Sequence, residues 1–131
     1  MTLLIGAPGV LGAAIMLWVA GFDVIYATMD WEFDRKMGLH SLAQKFGIRG
    51  ALMLAAVFHA AFILLLCWFG VLENLSPAFF GAVVLIAAFL IYEHALVKPD
   101  DLRRVNAAFF TVNGIISVFF LAAIAWEVFS R

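Results

Sequence analysis

Four long apolar runs decide what this chain can fold into. They cover roughly Val10 to Met29, Ala51 to Leu72, Pro77 to Val97 and Ala107 to Phe129. A helix crosses the hydrocarbon core of a bilayer with about 20 mostly apolar residues, and each run reaches that length. Strands of a membrane barrel are about half as long and alternate apolar with polar positions, so these runs exclude them. Lipid offers an open backbone no partner, which makes every span helical. Composition agrees: 66% of the 131 residues are hydrophobic and 13% are charged, whereas a soluble domain is about a quarter charged. The expected fold class is all-α, a multi-pass transmembrane helical bundle with four spanning helices. Residues 1–131 read as a single bundle without repeat, low-complexity tract or linker.

Charge placement sets the orientation. Arg35, Lys36, Lys45 and Arg49 fall between the first and second runs, and Lys98, Arg103 and Arg104 between the third and fourth. The connection ENLSP has Glu73 and no basic residue. The positive-inside rule puts the first and third connections in the cytoplasm and both termini outside. The expected location is the cell inner (cytoplasmic) membrane, multi-pass. A net charge of −1 gives no basic field to attract nucleic acid. Cys67 stands alone in an apolar run and reads as a small hydrophobe. The start MTLLIGAPGVLG has no basic residue ahead of its apolar stretch, so no secretory signal is expected.

Against this background GFDVIYATMDWEFDRKMGLHS, Gly21 to Ser41, stands out. Positions seven and eleven residues apart on a helix return to within about 20° of each other. Asp23, Asp30 and Asp34 therefore stack in one line if the first helix runs on through Asp34, with Tyr26 near the line and Glu32 opposite. A carboxylate inside a span costs about 2.5–3.5 kcal/mol on insertion scales and is a functional hypothesis by default. Three aligned carboxylates repel one another unless a divalent cation lies between them. Mg2+ suits one or two carboxylates, waters and phosphate oxygens. The i, i+4 pair Asp30 and Asp34 has the spacing to grip it, and Arg35, Lys36 and Lys45 supply charge for phosphate oxygens. An ordinary charged membrane-edge loop is the plainer alternative for a bare D-x3-D; Asp23 and Tyr26, deeper on the same face, favour a site.

The stretch Asp23 to Ser41 resembles the second aspartate-rich motif of the UbiA superfamily of intramembrane prenyltransferases. It meets D-x2-Y-A-x2-D-x3-D-R-x2-G-x2-S at every fixed position. YEHALVKPDDLRRVNAAFFTVNGIIS is also similar to the family, especially to bacterial 4-hydroxybenzoate polyprenyltransferase-like members, among them those of the futalosine route to menaquinone. The resemblance covers essentially the whole chain and implies a complete fold of about nine helices, of which this chain would be the sixth to ninth. It implies two facing aspartate motifs on the cytoplasmic side that bind Mg2+ and a polyprenyl diphosphate. Loss of diphosphate would leave an allylic cation for an aromatic acid acceptor to attack at carbon, in ubiquinone or menaquinone biosynthesis.

On that resemblance Asp30 and Asp34 are the metal pair and the catalytic residues. Asp23, Tyr26, Arg35, Lys36, Ser41 and Lys45 bind substrate. The family's first motif, of N-D-x2-D-x3-D type, is absent from this chain. A fragment of a longer enzyme, a truncated gene or one part of a split protein are the explanations, in that order, and the chain alone is not expected to catalyse efficiently. Its partners would be polyprenyl diphosphate, the acceptor, the lipid bilayer and the N-terminal half. A non-catalytic membrane protein, cation-handling or an assembly subunit, is the reading from another class.

Other polar residues read more quietly. LHSLAQKFG is a short helix that begins near His40 or Ser41 and stops at Gly47, and Asp101 is a candidate N-cap. Asn106 and Asn113 share a face of the last helix and are expected to hydrogen-bond neighbouring helices. His59 reads as a hydrogen-bonded structural residue. Glu93 and His94 read equally as interfacial anchors or as a polar wall of the site.

Overall fold

The structure, a computed structural model of the chain, describes residues 2–29, 42–96 and 111–130. Those residues form four helices and no strand: α1 Thr2–Met29, α2 Leu42–Leu72, α3 Pro77–Leu96 and α4 Asn113–Phe129. Three stretches are long and apolar enough to cross a membrane: Ala7–Ala27, Gly47–Leu72 and Pro77–Ala95. α4 is apolar and 17 residues long, and π-helical backbone at Thr111 and Val112 extends its start. The chain is an all-helical bundle of the membrane type. The expected cap Asp101 and the face-sharing Asn106 lie outside the described residues.

α1 begins eight residues ahead of the expected Val10 and runs through Pro8. Proline removes one backbone donor, but the apolar residues before it still have to satisfy the rest of their backbone within a helix. α2 likewise begins before the expected Ala51. It contains a break at Gly47, with φ 76° and ψ 169°, the stop that the sequence predicts. This conformation is essentially confined to glycine. A Cβ placed there meets nothing within 4 Å, so any penalty for a side chain comes from the backbone alone. Gly47→Ala is expected to destabilise the bundle by about 1–3 kcal/mol, read as a lower unfolding midpoint in detergent.

Helices pack in chain order, α1 on α2, α2 on α3 and α3 on α4, most extensively between α1 and α2. The main core joins Ala14 of α1, Phe62 and Leu66 of α2, Phe79, Val83, Ile86 and Leu90 of α3, and Val112 and Ile116 at α4. The α3 residues follow one another at spacings of four, three and four, the period of a single buried helix seam. A smaller cluster of Val24, Ile25, Ala51 and Ala55 closes α1 on α2 nearer the Met29 end.

The turn from α2 to α3 is a Schellman cap. Asn74 has φ 52°, its N–H donates to the Val71 carbonyl, and the Leu75 N–H donates to the Gly70 carbonyl, which satisfies two orphan carbonyls of the helix end. Pro77 then opens α3 at the position where a missing N–H costs nothing. Both the backbone N–H and the hydroxyl of Ser76 donate to Glu127 of α4. This buried carboxylate lies against the positive end of α3, where an anion is favoured. It fastens the end of α4 to the start of α3.

Candidate functional site

α1 presents two opposite faces. Ala14, Gly21 and Ile25 are buried and lie within about 40° of one another at 100° per residue. Directly across the helix, Met16, Val19, Asp23 and Tyr26 form an exposed line. Asp23 also borders a cavity of about 260 Å3 with Ala20, Val24, Ala27 and Phe58. The structure thus places Asp23 of the acidic seam, with Tyr26 near it, on the face of α1 turned away from α2, α3 and α4.

Asp30, Asp34, Arg35, Lys36 and Ser41 lie outside the described residues. α1 is helical through Met29, and Lys45 belongs to the first turns of α2, ahead of the Gly47 break. Among the described residues no group of three or more His, Cys, Asp or Glu is placed to hold a metal ion. Asp23 is the described member of the seam, and its carboxylate oxygens are the donor type that Mg2+ takes.

A second polar arrangement crosses the inside of the bundle. The Nε2 of His59 lies 3.1 Å from the Trp18 carbonyl oxygen. A carbonyl only accepts, so this nitrogen carries the proton. Nδ1 of His59 is then the acceptor for Nε2–H of His94, 2.8 Å away. One chain of hydrogen bonds thus ties α3 to α2 and α2 to α1, and His59 is the hydrogen-bonded structural residue that the sequence implies. Gly21 makes the room: a Cβ at that position would come 2.5 Å from Cδ2 of His59. Glu93, which precedes His94 in sequence, is completely buried and among the described residues neither carboxyl oxygen has a hydrogen-bond partner, so it is not an interfacial anchor.

Sequence reasoning passed over the tie between Glu127 and Ser76. Glu127 carried no motif, and its partner Ser76 is remote in sequence. The placement of Glu93 was legible, since it continues the seam Phe79, Val83, Ile86 and Leu90 by a further step of three. His94, one residue on, turns about 100° away from that seam and towards His59.

A family model described as the UbiA prenyltransferase family matches residues 3–125. The chain belongs to that family. This UbiA-family chain is 33% identical over 94 residues to a 4-hydroxybenzoate octaprenyltransferase of Hydrogenovibrio crunogenus, covering 72% of the chain and 33% of the relative. It is 30% identical over 111 residues to the protein of that name from Aromatoleum aromaticum, covering 85% and 37%. With the one from Nitrosococcus oceani it is 30% identical over 114 residues, covering 87% and 40%. The chain spans about a third to two fifths of the length of these curated relatives. No solved structure matches it.

Proposed function

We propose that this chain forms the second aspartate-motif part of an Mg2+-dependent prenyltransferase of the inner membrane. The whole enzyme moves a polyprenyl group from polyprenyl diphosphate to an aromatic acid of the 4-hydroxybenzoate kind, in quinone biosynthesis. The observation that carries this reading is the outward placement of Asp23 on a spanning helix. Lipid does not suit a carboxylate, so that face of α1 is the wall of a protein-lined cavity. The cavity closes when residues 1–131, as one bundle, meet the part of the enzyme with the first aspartate motif. Relatives two to three times as long, named as octaprenyltransferases, support the same division.

Within that cavity Asp30 and Asp34 hold the metal at the cytoplasmic mouth, with Asp23 and Tyr26 above them. Bound there, Mg2+ supplies the positive charge that stabilises the departing diphosphate. Arg35, Lys36 and Lys45 hold the remaining phosphate oxygens with charge-assisted hydrogen bonds, and Ser41 adds a hydroxyl donor. The apolar surround of α1 keeps water from the allylic carbon, so the aromatic acceptor and not hydroxide takes it. The acceptor carbon forms the new bond, the carbon–oxygen bond to diphosphate breaks, and the ring proton leaves to solvent.

The test is prenyl transfer from a labelled polyprenyl diphosphate to 4-hydroxybenzoate by membranes that contain this chain together with a relative's first-motif part. Product that vanishes with a chelator and returns with Mg2+ is expected. No product, or product indifferent to the chelator, overturns the reading. Tyr26→Phe removes one hydroxyl and keeps the ring, so turnover is expected to fall only about 2- to 10-fold.

A further inference from the structure

Among the described residues four buried polar atoms on three helices lack a hydrogen-bond partner: Trp18 Nε1 on α1, both carboxyl oxygens of Glu93 on α3, and Asn113 Oδ1 on α4. They border one core. Trp18 stacks on Phe62, with ring centroids 5.6 Å apart, and packs against the cluster that contains Leu90 and Val112. Glu93 follows Leu90 on its seam, and Asn113 follows Val112. Two pairings fix the antiparallel register of α3 and α4: Ser76 with Glu127, and Phe89 with Phe119, centroids 5.7 Å apart. That register sets Glu93 opposite the first residues of α4, where Asn113 stands.

We propose that Trp18, Glu93 and Asn113 form an internal site for water, separate from the carboxylate seam on the opposite face of α1. The accounting is chemical. An isolated carboxylate in an apolar interior costs far more than a neutral acid, and among the described residues no cationic side chain is bonded to Glu93. As an acid it has one donor and one acceptor to place. Trp18 adds a donor and Asn113 an acceptor. Two donors and two acceptors match the two lone pairs and two hydrogens of a water molecule, and buried waters make two to four such bonds. A metal cation suits the set less well, because the indole N–H would point at it. This proposal does not rest on the prenyltransferase reading.

The test is infrared spectroscopy of the protein in lipid bilayers, wild type against Glu93→Gln. The expected result is a carboxylic-acid carbonyl band that disappears in Glu93→Gln. In the wild type it shifts within minutes of transfer to D2O, and Trp18→Phe or Asn113→Ala moves it because each removes one partner of the bridge. Carboxylate bands in place of the acid band would overturn the proposal in favour of a bound cation. An acid band unmoved by D2O would show a dry, unbonded carboxyl and overturn it as well. Glu93→Gln keeps the size and hydrogen-bonding shape of the side chain, so the comparison survives a failure of either partner variant to fold.

Discussion

Alanine at Asp30 or Asp34 is expected to lower Mg2+-dependent prenyl transfer by on the order of 10²–10³-fold, the loss of about 2.7–4 kcal/mol that follows removal of one preorganised electrostatic contact to a developing charge. The proposed site is where the leaving diphosphate gathers negative charge, and Arg35, Lys36 and Lys45 offset only part of it without the metal. In the proposed site each aspartate is one of the metal's two protein ligands from this chain, and neither alone supplies both. The measurement is turnover against Mg2+ concentration in the assembled enzyme, with alkali extraction to show that each variant still inserts. Raised Mg2+ should recover part of the activity if affinity is what was lost. Normal turnover in either variant would remove that residue from the metal site.

Gly21→Ala is expected to destabilise the bundle by about 2–4 kcal/mol, combining overpacking with the loss of a buried hydrogen bond. The added methyl would stand where the His59 ring stands. The ring must swing out, and the bonds to Trp18 and His94 go with it, at the helix pair with the most extensive packing. Thermal unfolding of the chain in detergent reads the effect. Gly9→Ala is the control, since a Cβ there meets nothing within 4 Å and alanine favours helix. The double variant Gly21→Ala, His59→Ala should recover part of the loss, because removing the ring relieves the clash. Additive losses would mean that the two residues do not share a space.

The spans were legible because lipid imposes one rule on all of them: length and apolarity. Their ends were less so. α1 starts at Thr2, not Val10, because the apolar backbone on either side of Pro8 has nowhere to go but helix. Gly47 was legible as a stop because only glycine holds its conformation cheaply. The face bearing Asp23 and Tyr26 followed from the helical period, and the structure puts both on one exposed line. What faces that line is another matter. The contacts between His59 and His94, or Glu127 and Ser76, depend on which helices become neighbours, which periodicity within one helix does not record.

The Asn74 turn bears on how the protein enters its membrane. Only four residues separate Leu72 from Pro77, and Glu73 is the one formal charge among them. A connection so short ties the fates of α2 and α3 together during synthesis: neither can be handed to lipid while the other lags far behind. The pair is thus suited to partition as a preformed hairpin, whose connection carries a single formal charge.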